Sequence, residues 1–283
     1  MEIRKIGVVG CGSMGAGIVQ LSAQSGYEVV VREVNSDLLN KGLGGIKKVL
    51  AKSVEKGKMN PEEMGKTLAR VKGTTDMKDF SACDLVIEAV VENMALKKEV
   101  FAELDRICPP HALLGSNTSC LSIVDIGMAT SRPDKVLGLH FFYPAPLMAL
   151  LEIVRTIATS DATVESAKEF GKRLGKSLVV AKDTPGYIVN RLFVPYILSA
   201  IRLYEAGVAS REDIDAGIKL GLNYPMGPLT LADFTGNDVI CFVASAMYEQ
   251  TKDPALIPPT LLTKMVAAGW LGRKTGKGFY EYK

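Results

Sequence analysis

The chain has 283 residues, 47% of them apolar and 23% charged, enough apolar material for a sizeable core and too little polar bias for intrinsic disorder. Lys plus Arg exceed Asp plus Glu by only three charges, which gives no case for a dedicated nucleic-acid binder. Five irregularly spaced cysteines and two histidines argue against a disulfide framework or a metal site and fit a reducing, cytoplasmic setting. The opening Met1–Gly10 stretch is too short for a signal peptide, and no apolar run reaches the roughly 18 residues of a membrane span.

In chain order, the first part alternates short β-like runs with helix-like segments, the pattern of an open α/β sheet. Strands are expected at Lys5–Val9, Glu28–Arg32, Arg70–Gly73, Asp84–Val90, Leu113–Ser116, Val136–Phe142, Leu150–Arg155 and Ser177–Val180, with V/I/L-rich centres that suit burial on both faces. Helices are expected over Ser13–Ser25, Asp37–Lys58, Ala95–Ile107 and Ala162–Leu174. The character changes after Lys182. Asp183-Thr184-Pro185-Gly186 is a break, with Pro185 placed to open an apolar helix that runs to about Ala206 and is kinked at Pro195. Further helices follow at Arg211–Lys219, capped by Ser210, and over Val239–Gln250 and Pro259–Ala267, while 223–228 reads as a loop. The expected organisation is a Rossmann-like α/β domain over 1–183 and an all-α domain over 184–283.

Gly10-Cys11-Gly12-Ser13-Met14-Gly15 is G-x-G-x-x-G between a strand and a helix, the dinucleotide-binding fingerprint. Its glycines allow the tight turn, close approach of a pyrophosphate and close helix–sheet packing. Glu33, at the end of the second strand, lies 21 residues after Gly12, near the spacing of a ribose-binding acid. Its carboxylate suits two ribose hydroxyls and repels a 2′-phosphate, so NAD is expected over NADP. Arg32, the competing contact for a 2′-phosphate, should point away by strand alternation.

Four candidates carry the chemistry. Ser119, in Ser116-Asn117-Thr118-Ser119, follows the carboxyl end of a strand, where such sheets bind ligands; a helix cap by Ser119 or Ser122 is the plainer alternative. His140 ends a strand, and Glu152 lies twelve residues on in the apolar run L-L-E-I-V, where a carboxylate needs a partner. Strands on either side of the 143–149 turn bring the two together as an acid/base pair, or as a buried structural hydrogen bond. Asn190, among apolar residues of the helix after Pro185, either ties that helix down or faces a ligand cleft. Lys48, Lys52 and Lys56 share one helix face, either solvated or a patch for a phosphorylated substrate handle.

Together with D-L-V-I-E-A-V-V-E-N, G-S-N-T-S, G-L-H-F-F, D-T-P-G-Y-I-V-N-R, Y-P-M-G-P-L and the tail G-W-L-G-R-K-T-G-K-G-F-Y, these pieces resemble the short-chain L-3-hydroxyacyl-CoA dehydrogenases, nearest their bacterial 3-hydroxybutyryl-CoA branch, over nearly the whole chain. The resemblance implies reversible, NAD-dependent oxidation of an L-3-hydroxyacyl-CoA to the 3-ketoacyl-CoA, and a helical domain that forms a homodimer. It implies His140 as acid/base, Glu152 as its orienting partner, and Ser119 and Asn190 as groups that position the substrate oxygen or the imidazole. Ala89, Val90, Glu92, Lys97, Asn117, Tyr143 and Lys274 match positions near the cofactor, and Lys56, then Lys52, would meet the CoA phosphates. The chain departs from the family pattern at Tyr143, where Asn is usual, at Ala149, often Lys, and at Cys120, often Ser. A dehydrogenase for free β-hydroxyacids would share the Gly loop without needing the His140/Glu152 pair, and a non-catalytic dinucleotide-binding protein would bind cofactor without turnover.

Overall fold

The computed structural model describes residues 2–282 and divides the chain into two compact units, one through Thr184 and one from Pro185 onward. The first is built on eight strands: β1 (Lys5–Val9), β2 (Glu28–Arg32), β3 (Val71–Thr74), β4 (Leu85–Glu88), β5 (Leu113–Ser116), β6 (Val136–Phe141), β7 (Leu150–Arg155) and β8 (Ser177–Lys182). Their order in the sheet is β3-β2-β1-β4-β5-β6-β7-β8, parallel throughout except for the antiparallel pair β6–β7. Near-continuous apolar runs such as Ile87, Val86 and Leu85 in β4 are buried, as a sheet covered on both faces requires. The helices of this unit are α1 (Ser13–Gln24), α2 (Ser36–Glu55), α3 (Pro61–Ala69), α4 (Met94–Ile107), α5 (Ile123–Gly127) and α6 (Asp161–Arg173). Ile18, Val19, Ile46, Leu50, Ala167 and Phe170 from α1, α2 and α6 join the core formed with the sheet.

The strand order reverses between β1 and β4, and open sheets of this kind receive ligands at the carboxyl ends of their strands at such a switch point. The turn after β1 is the Gly loop, and the segments after β4, β5 and β6 leave the same edge because these strands run parallel.

The second unit is helical: α7 (Val189–Glu205), α8 (Arg211–Gly221), α9 (Pro228–Thr235), α10 (Asn237–Thr251) and α11 (Thr260–Ala267). Its buried residues include Val194, Ile197, Ile201, Leu229, Ile240, Met247 and Leu262. Pro195 lies inside α7, as expected. Residues 279–282 are held by Asp233, 1% exposed, which accepts from the backbone N–H of Phe279 and of Tyr280, both at 2.9 Å, and from Tyr282 Oη at 3.0 Å.

Three readings of the sequence change. Pro185 does not open α7; a turn intervenes, Tyr187 takes a left-handed φ of 50°, and helical geometry begins at Val189. The 223–228 segment is a loop only to Gly227, because Pro228 occupies the first turn of α9, where its missing N–H costs nothing. Helix α3 was not expected at all. Asn60 caps it in a reciprocal box with Glu63, and Pro61 sits at its start.

Candidate active site

The Gly loop has the geometry a dinucleotide needs. Gly10 has φ +97°, and a Cβ there would meet the Ala89 carbonyl oxygen at 2.7 Å; a Cβ on Gly15 would stand 1.9 Å from the Gly10 oxygen. A Cβ at Gly12 would meet nothing within 4 Å, so that side of the loop is open to an incoming phosphate. Ser13 is exposed and Met14 half-buried at the start of α1, whose first turn carries no acidic residue and no side-chain cap, so its N–H groups suit an anion. Cys11 is buried beneath the loop; burial, then the Glu33 carboxylate, pushes its thiol up to about 11, so it is a neutral packing group.

Glu33 sits just past β2. Its Oε1 accepts from Cys11 N at 2.6 Å and its Oε2 from Val34 N at 3.1 Å. Each oxygen keeps acceptor capacity, so the acid both braces the Gly loop and can receive ribose hydroxyls. Arg32 turns to the Thr75 carbonyl, 3.4 Å away, as strand alternation requires. These residues fit an adenine dinucleotide.

His140 and Glu152 stand directly opposite in the β6–β7 register. That register points both side chains to one face, and Nδ1 of His140 lies 2.6 Å from Oε2 of Glu152. Both are enclosed, His140 at 3% exposure and Glu152 at 0%. A carboxylate only accepts, so Nδ1 carries a hydrogen, and in the neutral ring Nε2 presents its lone pair. Ser119 Oγ is 3.0 Å from that Nε2. Phe142 packs against the imidazole with ring centroids 4.6 Å apart.

After β5 one serine takes the cap and another the contact with the imidazole. Ser122 caps α5, accepting from Asp125 N, with Asp183 accepting from the N–H groups of Ile123 and Val124; Ser119 stands at the imidazole. Asn117 donates its N–H to the Glu88 carbonyl at 2.8 Å and accepts from Phe141 N through Oδ1 at 2.9 Å, locking this segment to β4 and β6 and leaving its NH2 for a ligand.

The buried Glu88 and Lys97 form a charge cluster with the half-buried Glu92. Lys97, 1% exposed, places Nζ 2.6 Å from Glu88 Oε1 and 3.0 Å from Glu92 Oε2. Glu92 Oε1 accepts from Thr118 Oγ1 at 2.7 Å and from Ser119 N at 2.8 Å. Val90 N donates to Glu88 Oε1 at 2.7 Å, and Ser116 Oγ donates to Glu88 Oε2 at 2.7 Å. Glu88 was missed from the sequence. The signal was the one that picked out Glu152, a carboxylate in an apolar run, here L-V-I-E.

The other expected residues fall on these elements. Tyr143 is 66% exposed at the start of the turn into β7. Lys52 and Lys56 are exposed in the last turn and at the C-cap of α2. In the second unit, Asn190 is half-buried in the first turn of α7, and Lys274 pairs with Asp238 at 2.5 Å.

Comparison with known proteins agrees with this geometry. Residues 5–184 match the NAD binding domain of 3-hydroxyacyl-CoA dehydrogenase, and residues 186–282 match its C-terminal domain. A Mycobacterium tuberculosis 3-hydroxybutyryl-CoA dehydrogenase is 48% identical over 99% of both chains. The human mitochondrial hydroxyacyl-coenzyme A dehydrogenase is 45% identical, covering 99% of this chain and 92% of its own. The crystal structure of (S)-3-hydroxybutyryl-CoA dehydrogenase from Ralstonia eutropha superposes with a TM-score of 0.95 at 41% identity, covering 100% of both chains. With its two domains matched end to end, the chain belongs to the 3-hydroxyacyl-CoA dehydrogenase family.

Proposed function

We propose that this protein catalyses the reversible, NAD-dependent interconversion of L-3-hydroxyacyl-CoA and 3-ketoacyl-CoA, with the four-carbon pair 3-hydroxybutyryl-CoA and acetoacetyl-CoA as substrate. The observation that carries the reading is the line Ser119 Oγ, His140 Nε2 and, through Nδ1, Glu152 Oε2 at the carboxyl edge of the sheet. The Gly loop would hold the pyrophosphate and Glu33 the adenosine ribose, with Ala89, Val90, Glu92, Lys97, Asn117, Tyr143 and Lys274 as further cofactor contacts on the strength of the family motifs. Bound NAD supplies the hydride acceptor, and NADH the donor.

His140 moves the proton. In reduction, the protonated ring donates from Nε2 to the C3 oxygen, while the Ser119 hydroxyl adds a hydrogen bond where negative charge develops. In oxidation the neutral ring takes the alcohol proton at Nε2, and Glu152 stabilises the imidazolium through Nδ1. Asn190 is assigned to substrate positioning from its place in D-T-P-G-Y-I-V-N-R. Lys56 and Lys52 are assigned to the CoA phosphates from their exposed position on a basic helix face.

A homodimer through the helical unit is supported by its exposed apolar side chains, among them Leu192 at 71%, Leu220 at 85% and Leu222 at 60%. Among the described residues no helix is long and apolar enough to cross a membrane. A cytoplasmic location is supported by the cysteine pattern of the sequence.

The deciding assay follows NADH and NADPH oxidation with acetoacetyl-CoA, longer 3-ketoacyl-CoAs and free acetoacetate. Turnover of the CoA thioesters with NADH, with the highest kcat/KM at four carbons, is expected. Equal kcat/KM with free acetoacetate would transfer the protein to the free-acid dehydrogenases, and equal or better kcat/KM with NADPH would refute the role given to Glu33.

A further inference from the structure

Glu88 is a fully enclosed carboxylate that the proposed chemistry does not use. It is 0% exposed, it ends β4, and the parallel register sets it beside Ser116 of β5. Its two oxygens take three close contacts, from Val90 N at 2.7 Å, Lys97 Nζ at 2.6 Å and Ser116 Oγ at 2.7 Å. A carboxylate buried this completely survives only when charge and hydrogen bonds compensate it.

Two routes lead from Glu88 to the same place. Ser116 Oγ, held by Glu88, accepts from Thr118 N at 3.3 Å. Lys97, held by Glu88, pairs with Glu92, whose other oxygen accepts from Ser119 N and Thr118 Oγ1. Both end on the backbone that carries the Ser119 hydroxyl to His140 Nε2. We infer that Glu88 is a positioning residue of the active site, which holds Ser119 against the imidazole through Ser116 on one side and through Lys97 and Glu92 on the other.

The amide of Glu88→Gln lacks the second acceptor oxygen and the charge. At best it accepts from Val90 N and Lys97 while its NH2 meets Ser116 Oγ, so the hydroxyl no longer finds its acceptor and Lys97 loses one of two counter-charges. A displacement of Ser119 on the scale of an ångström lowers kcat by about 10²-fold.

This inference rests on the dehydrogenase reading, and the experiment separates the two. The chain has two histidines, so the imidazole nitrogens of a 15N-labelled sample are readily assigned by comparison with a His140 variant. Glu88→Gln is expected to shift the His140 Nε2 resonance in the same direction as Ser119→Ala, and to leave His111 unmoved. In turnover with acetoacetyl-CoA, Glu88→Gln added to Ser119→Ala is expected to cost no more than about 2-fold beyond the single change, because both remove the same contact. An unshifted His140 resonance in the folded variant, or penalties that multiply fully, would overturn the role. Should Glu88→Gln fail to fold, Ser116→Ala breaks one route, leaves the ion pair intact, and must move the same resonance. Should the wild-type protein not turn over 3-ketoacyl-CoA, the dehydrogenase reading falls, and the resonance alone decides the role of Glu88.

Discussion

At Glu152 a single carboxylate decides what a neighbouring ring can do. In the β6–β7 register it faces His140, and its contact at Nδ1 sets Nε2 toward Ser119 Oγ, as the proposed proton transfer needs. Replacing His140 by Gln keeps a polar side chain of similar reach but removes the imidazole. The expected result is a kcat lowered by ~10²–10⁴-fold with NADH still bound, read by steady-state kinetics and by NADH fluorescence titration. An unchanged kcat would place the chemistry elsewhere. Asp84 serves stability instead. It accepts from Arg4 N and Lys5 N, each at 2.9 Å, and pairs with His111 at 3.2 Å. Burial alone would raise its carboxyl; the backbone N–H groups of Lys5 and Arg4, with His111, outweigh that and hold it below the usual carboxylate range. The folded state therefore favours the charged form. This stabilisation is full above the unfolded-chain value of about 3.9 and is lost as pH falls through the lower folded value. Asp84→Asn is expected to cost about 1 kcal/mol at pH 7, and the deficit should close in acid; a deficit constant with pH would contradict the assignment. Glu152 was legible because a carboxylate in the middle of an apolar strand demands a partner. Glu88 carries the same signal in L-V-I-E but stands at a strand end, where an exposed carboxylate is ordinary, so the signal was weaker than at Glu152 until α4 and β5 enclosed it.

Helix α2 joins a buried stripe of Leu39, Ile46 and Leu50 to an exposed basic face. Lys56, at its C-cap, also complements the negative end of the helix dipole. Lys56→Ala is expected to raise KM for acyl-CoA several-fold, more at low salt than at high, with a smaller change for NADH. An equal effect on both ligands would return this face to solvent. The long strands and amphipathic helices were legible from periodicity, and most observed bounds lie within a residue or two of those expected. Helix α3 was not, because only Thr67 of it is fully buried, and its nine residues offer one apolar i,i+4 pair, Met64 and Leu68, too short a pattern to mark a period. Its cap box was present in Asn60-Pro61-Glu62-Glu63 but announced a helix that packing against α1, α2 and β3 sustains.

The molecule divides its tasks between an α/β unit and a helical unit. The helical unit places large apolar side chains in water, Leu192, Leu220, Leu222 and Phe234 among them, and isolated units rarely tolerate so many. Sedimentation equilibrium is expected to return twice the chain mass, and Leu192→Glu or Leu220→Glu to weaken the association; a monomer at micromolar concentration would refute the proposed pairing. Asp233 closes this unit by collecting the N–H groups of Phe279 and Tyr280, so the G-K-G-F-Y tail belongs to its interior and not to a loose end.

Amino-acid order was sufficient for the α/β-then-helical plan, the Gly loop with its acid, and the pairing of His140 with Glu152, because each rests on spacing along the chain: strand periodicity, a turn that excludes side chains, and a short hairpin that sets its own register. Folding in three dimensions decided that Ser119 meets the imidazole while Ser122 does the capping, and that the buried Glu88 and Lys97 form one cluster with Glu92. Those contacts join the ends of three parallel strands and a helix far apart in sequence, and no local pattern specifies which buried charges will share an interior once water has been removed.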